Sequence, residues 1–283
     1  MNKLNTQRQV QVIAYLVEGN SIRSTCRMTG VAKNTVVKLL VDIGAACSEY
    51  QDITLRNLTC QRLQCDEIWA FCYSKDKNVP EEHRGEFGYG DVWTWIAIDA
   101  DTKLVTSWLV GNRDGACAMA FLTDLADRLT SYCHPQLTTD GYGSYLNAVY
   151  EAFGGEVDYA MLIKLFGPEP GGEKRYSPAH CLGTEKRCIV GNPDKEHIAT
   201  SFFERQNLTL RMGMRRFTRL TNAFSKKVEN HAAAISLHYM YYNFARPHQT
   251  LTKRETYPTT PAMAAGVSDH VWTLAEIVAL LNS

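Results

Sequence analysis

Arg62-Leu-Gln-Cys-Asp-Glu-Ile-Trp-Ala-Phe-Cys-Tyr73 is the stretch on which the fold of this chain turns. It is rich in β-forming and aromatic residues and reads as a strand interrupted by an acidic pair, Asp66 and Glu67. Side chains alternate along a strand, so the two acids point to opposite faces. Of the acids nearby, Glu67, Asp91 and Asp99 compete with Asp66 for a functional role, and Asp91 and Asp99 fall at the ends of the next strand.

Outward from that strand, Lys75 to Gly90 is polar and reads as a loop. Val92-Trp-Thr-Trp-Ile-Ala-Ile98 and Leu104-Val-Thr-Ser-Trp-Leu-Val110 flank Asp99-Ala-Asp-Thr102, which gives two more strands joined by a tight turn. Residues Asp114 to Thr130 carry Met119, Leu122, Leu125, Ala126 and Leu129 at helical spacing. Leu137-Thr-Thr-Asp-Gly141 is a short fourth strand ending in Asp140, with a helix over Tyr142 to Phe153 and a fifth strand over Val157 to Phe166. Three strands, helix, strand, helix is the order of the ribonuclease-H-like fold. The first and fourth strands lie side by side there, so Asp66 and Asp140 should meet although 140 − 66 = 74 residues separate them.

Residues 167 to 193 hold five Gly and four of the nine Pro and are expected to be an irregular surface insertion. His197 to Phe217 then reads as one long helix. Ala199, Phe203, Leu210, Met214 and Phe217 form its core-facing stripe, and Glu204, Asn207, Arg211 and Arg215 stack along an adjacent polar face. From Arg205 to Lys227 there are seven basic residues (Arg205, Arg211, Arg215, Arg216, Arg219, Lys226, Lys227) and no acid. A lone carboxylate beside so many cations suits a metal whose partner is a polyanion, and it equally suits an ordinary salt-bridged helix face. Ser225 is expected to cap a following helix that ends near Arg246-Pro247, and the remaining residues a small helical cap.

Upstream, residues 5 to 50 read as three helices, with Ser21 capping the second and Gly30 closing it. Lys33, Asn34 and Lys38 then stand near the start of the third helix. That pattern matches a helix-turn-helix, whose second helix enters the major groove, though any small three-helix bundle would share it. Residues 1 to 46 hold six basic groups against Glu18 and Asp42, a balance of 6 − 2 = +4, on a chain whose net charge is zero. Two basic zones on a neutral chain imply localised polyanion contacts rather than general stickiness.

Hydrophobic residues make up 45% of 283, enough for a real core and for one or two domains. Nine cysteines without a Cys-x-x-Cys pair fit a reducing compartment. No stretch is long enough to span a bilayer and no signal-peptide pattern opens the chain, so a cytoplasmic, nucleoid-associated protein is expected.

Carboxylates on a first strand, at the tip of a fourth and on a later helix make a metal-site layout. Hard oxygen ligands suit Mg2+ or Mn2+, and two such ions can activate a nucleophile and stabilise a leaving oxygen. The chain resembles bacterial insertion-sequence transposases of the Asp-Asp-Glu superfamily, in the class of the first-described insertion sequence. The resemblance rests on Cys65-Asp-Glu-Ile-Trp-Ala-Phe71, Thr139-Asp-Gly-Tyr142, Phe203-Glu-Arg-Gln-Asn-Leu-Thr-Leu-Arg211 and Arg216-Phe-Thr-Arg-Leu-Thr-Asn-Ala-Phe-Ser-Lys-Lys-Val-Glu229. Tyr242-Asn-Phe-Ala-Arg-Pro-His-Gln-Thr-Leu251 and Thr260-Pro-Ala-Met-Ala-Ala-Gly266 add to it, so that it covers most of residues 62 to 266.

The resemblance implies Asp66, Asp140 and Glu204 as catalytic and metal-binding residues of a two-metal site. It also implies Arg211 as the basic residue seven positions after the glutamate. The spacing of 204 − 140 = 64 is longer than in compact members, and no paired-cysteine zinc motif precedes the helix-turn-helix.

The fold expected is therefore α/β, a ribonuclease-H-like mixed five-stranded sheet flanked by helices and preceded by an all-α helix-turn-helix domain. The divisions expected are 1-52 helix-turn-helix, 53-61 linker, 62-250 catalytic core with the 167-193 insertion, and 251-283 helical cap. The partners implied are double-stranded DNA, both element terminal inverted repeats and target, and further copies of the chain on that DNA. Lys33, Asn34, Lys38, Asn207, Arg211, Arg215, Arg216 and Arg219 are the DNA-contact candidates. The rival is a helix-turn-helix regulator, or a transposase relic that keeps the fold without the chemistry.

Overall fold

A computed structural model of the chain describes residues 4–167, 180–218 and 222–282. Its centre is a mixed sheet of six strands in the order β3-β2-β1-β4-β5-β6. The strands are β1 (Arg62–Cys72), β2 (Gly90–Asp99), β3 (Val105–Gly111), β4 (Gln136–Thr139), β5 (Asp158–Gly167) and β6 (His180–Val190). The first three form an antiparallel meander, β4 and β5 run parallel to β1, and β6 returns antiparallel to β5. This mixed sheet with helices packed on it is compatible with a ribonuclease-H-like fold.

Two sequence expectations about the sheet and the helix after it are corrected first. The sheet has six strands and not five, because His180–Val190, inside the stretch assigned to an irregular insertion, pairs with β5 from Gly167↔His180 to Tyr159↔Val190. The turn residues masked an extended run, Cys181 to Val190, that finds its partners only across the chain; residues 168–179 of the expected insertion lie outside the described residues. The expected long helix is also shorter. It spans Ser201–Gly213, and Met214 then takes an extended conformation (φ −136°, ψ 105°) before a single turn at Arg215–Phe217. Gly213 is a poor helix residue, and the break removes Arg215 from the face that carries Glu204.

Helices cover both sides of the sheet. We label them α1 (Thr6–Val17), α2 (Ile22–Thr29), α3 (Lys33–Thr54), α4 (Gly115–Arg128), α5 (Ser144–Phe153), α6 (Ser201–Gly213) and α7 (Val228–Met240). Trp95 on β2 packs on Phe121 of α4 and Tyr145 of α5, so these two helices lie on one face. On the other, the Gln64 side chain of β1 accepts the backbone N–H groups of Phe202 and Phe203 at 3.0 and 3.1 Å, which fixes the start of α6. Trp108 of β3 packs against Tyr239 of α7 on that same side, the rings tilted at 45°.

The three N-terminal helices share the core of the sheet. Gly44 of α3 lies against Ala233 of α7 so closely that an added Cβ would sit 2.5 Å from its backbone. Gln51, buried near the end of α3, donates to the Ser236 carbonyl at 3.2 Å. Asn5 and Ser21 cap α1 and α2, and Gly30 closes α2 at φ +70°. Ser225 caps nothing; Lys227 is the N-cap of α7, and Ser225 accepts a hydrogen bond from Arg216 instead. Among the described residues no helix is long and apolar enough to cross a membrane.

Candidate functional site

The site begins with a register. Along the β1–β4 pairing Cys65 faces Thr139, an offset of 139 − 65 = 74 residues, and the next rung would place Asp66 opposite Asp140. β4 ends one residue earlier, so Asp140 sits at the strand's tip, where its carboxylate accepts the backbone N–H of Tyr142 at 2.8 Å. Asp66 accepts the N–H of Glu67 at 2.7 Å.

One carboxylate oxygen from each of Asp66, Glu67 and Asp140 lies within 4.8 Å of the other two. Alternation along the strand puts Glu67 on the opposite face from Asp66. Its side chain does leave from the face of β1 that carries α4 and α5, where the Tyr145 hydroxyl donates to it at 3.0 Å. Its carboxylate nevertheless reaches the other two because β4 stops short and Asp140, beyond the tip, can approach both faces. Direction alternates, but at a strand's free end the separation between faces is only a side chain's length.

Arg113, just after β3, closes this side. Its guanidinium donates to Glu67 and stands 3.9 Å from Asp140, and it is held between the rings of Trp93 and Tyr142, with centroids 4.8 and 4.3 Å away. Only the pattern of acids was legible in the sequence; nothing in it singled out Arg113, whose placement depends on how β3 ends.

Glu204, on the first turn of α6, is not among the acids that converge within 4.8 Å, and it is more than half exposed rather than buried. The Thr200 hydroxyl donates to it at 2.8 Å, and the ammonium of Lys164 on β5 makes an ion pair with the same oxygen. Lys164 is thus a second cation that sequence reading missed. Burial alone would raise the Glu204 carboxyl, but the Lys164 and Thr200 hydrogen bonds and the Lys164 charge outweigh it and bring it below the usual value.

The charges of the cluster are unbalanced. Burial pushes the Asp66 carboxyl well above the usual range, and the neighbouring Asp140 and Glu67 charges push it further; the Glu67 N–H and Lys164 only partly offset them. Glu67 is raised in the same way, by burial and by Asp140, against Arg113 and Tyr145. Converging hard oxygen donors whose ionised forms repel one another are a fitting donor set for a divalent cation of the Mg2+ or Mn2+ type.

The remaining site candidates are dispersed. Lys33, Asn34, Arg215 and Arg216 line one large groove described below, away from the acids. Lys38 is spent on an ion pair with Asp42 one turn along α3 at 2.7 Å. Asn207 is half-buried on α6, Arg211 two turns after Glu204 lies on the same helix, and Arg219 falls outside the described residues.

No protein-family model and no curated protein matches this chain. Among solved structures, a chain of the Mos1 strand transfer complex is similar with a TM-score of 0.25 and 11% identity, over 56% of this chain and 58% of that one. The similarity therefore spans less than two thirds of that protein, and a likeness of that strength says nothing of chemistry, which has to come from the residues themselves.

Proposed function

We propose that this protein is a DNA transposase of the Asp-Asp-Glu type, which binds element ends, cleaves a strand in a metal-dependent reaction and joins the freed 3′-hydroxyl to target DNA. The observation that carries the reading is the meeting of Asp66, within β1, and Asp140, just past the end of the adjacent parallel β4, in one cluster of carboxylates. The sequence segments that resemble the insertion-sequence transposases are the ones that supply these two residues and Glu204.

In this reading Asp66 and Asp140 are the principal metal ligands and Glu204 completes the set. A bound divalent cation supplies Lewis-acid stabilisation of the phosphoryl group and a more acidic water or hydroxyl nucleophile. Glu67, held by Arg113 and Tyr145, adds negative potential behind the ligands and keeps the Asp140 loop in place through the shared arginine. The carboxylates act as ligands and need no tuned acid-base pKa of their own; the closeness of Asp66 and Asp140 leaves that pair poised to accept a cation.

The test is to assay cleavage and strand transfer with Asp66→Asn, Asp140→Asn and Glu204→Gln, each alone, in Mg2+ and Mn2+. Each variant should lose both reactions by several orders of magnitude while DNA affinity stays within a few-fold of the parent. Strand transfer at the parental rate by Asp140→Asn would sink the proposal.

A further inference from the structure

A groove of about 810 Å³ runs between the N-terminal helices and the far end of α6. Among the described residues six cations line it and no acid does: Arg23 and Lys33 on the wall made by α2 and α3, and Arg215, Arg216, Lys226 and Lys227 on the wall made by residues 213–216 and 222–227. None of the six is in an ion pair among the described residues. Arg216 is held by the Asn230 carbonyl at 3.1 Å and by Ser225, both uncharged, and Lys226 lies over the Tyr73 and Phe224 rings at 5.6 and 5.1 Å. Six like charges gathered around one hollow repel one another, so the arrangement is costly until an anion enters.

A second, independent feature lies in the same groove. His238 of α7 lines it, is 5% exposed, and neither ring nitrogen has a hydrogen-bond partner among the described residues. Gly213 permits this approach, since a Cβ there would meet the His238 ring at 3.0 Å. A buried imidazole with both nitrogens unmet is an expense that a ligand able to reach it would relieve.

We infer that this groove holds the phosphodiester backbone of DNA between its two walls, so that the N-terminal helices and the core grip one strand jointly. The charge lies on both walls, which suits an extended ligand with repeated negative charges better than a single small anion. Position agrees. Gly213 follows Glu204 by 213 − 204 = 9 residues on α6, roughly 14 Å at helical rise, a distance that about four nucleotides span at their spacing in duplex DNA. The choice of DNA among linear polyanions rests on the function proposed above; the site itself does not.

The experiment measures affinity by fluorescence anisotropy over a salt series, for a labelled mixed-sequence DNA duplex and for its single strand. The parent is compared with Arg23→Gln/Lys33→Gln, with Lys226→Gln/Lys227→Gln, and with Arg187→Gln on β6 as a control outside the groove. Each pair of substitutions should flatten the slope of log affinity against log salt by roughly two units for duplex, and Arg187→Gln should leave it unchanged. The duplex and single-strand arms tell which form supplies the backbone.

If only one wall's variant changes the slope, or neither does, the joint grip is wrong. Competition by polyglutamate at equal charge as effective as DNA would also overturn it. Should a variant not fold, acetylation of the unmodified protein replaces it: DNA should protect Lys33, Lys226 and Lys227 together and leave the exposed Lys253 reactive, and protection of Lys33 alone refutes the groove. Parental strand transfer with unchanged salt slopes in the variants sinks the groove alone, whereas the expected slopes in a parent without any cleavage activity sink the enzymatic reading alone.

Discussion

The Lys164 ammonium on β5 is bonded to the Glu204 carboxylate on α6, and its charge also offsets a small part of the rise that burial and the neighbouring acids impose on the Asp66 carboxyl of β1. One cation therefore acts on two of the three acids proposed above as metal ligands. Lys164→Met should remove this competitor and tighten Mn2+ binding several-fold, read from the electron paramagnetic resonance of the free ion. Glu204 is too exposed for the pair to matter to folding, so the melting temperature should hardly move. Weaker Mn2+ binding in the variant would show instead that Lys164 organises the site.

The acid cluster makes stability depend on pH in a definite direction. The folded state raises the Asp66 carboxyl, so the fold is favoured relative to the unfolded chain while the group is protonated, and that advantage is lost as pH rises through the raised value. Asp66→Asn keeps the acceptor for the Glu67 N–H and removes the charge. It should stabilise the protein at neutral pH by on the order of 1–2 kcal/mol, with the difference vanishing below the ordinary carboxylate range. Thermal unfolding at several pH values checks this. Added Mg2+ should raise the melting temperature of the parent and not of the variant.

Glu67 has a fully buried side chain, and Arg113 is its cationic partner. Arg113→Met would leave that carboxylate buried with only the Tyr145 hydroxyl, at a cost of about 3 kcal/mol in denaturant unfolding at neutral pH. Arg113→Lys should recover little, because an ammonium cannot lie flat between the Trp93 and Tyr142 rings while donating to Glu67. Glu67→Gln combined with Arg113→Met should be less destabilised than Arg113→Met alone, since the buried charge is gone.

The junction between the N-terminal helices and the core rests on Gly44. Gly44→Ala puts a methyl into the Ala233 backbone and should cost about 1–3 kcal/mol. It should also weaken DNA binding by moving the two groove walls relative to each other. Gly115→Ala, where nothing lies within 4 Å, serves as the helix control and should be neutral or slightly stabilising.

What could be read in the sequence was local or periodic. Alternation and β-forming composition placed β1 to β5 to within a residue or two, and helical spacing placed α1 to α5 and α7. That Asp66 and Asp140 should meet was expected from the ribonuclease-H-like order of elements, while the register, Cys65 opposite Thr139, is supplied by the sheet. β6 was hidden because Gly and Pro around it marked turns, and its partners on β5 are supplied only by the folded sheet. The end of α6 at Gly213 was missed because the apolar stripe continues through Met214 and Phe217, which are buried after the break as well.

Legible along the chain were the acids at 66, 140 and 204 as candidates, the two basic zones, and an order of elements that sets the first and fourth strands side by side. Tertiary structure alone decided their company. Glu67 joins the acids because β4 ends before its neighbour does, Arg113 arrives from the loop after β3 and Lys164 from β5, and the basic zones face each other because Gly44 lets α3 lie directly on α7. Period and propensity are properties of neighbours along the chain, whereas the partner of a charge is chosen by which strand ends where, and that is set only when the sheet and its helices pack.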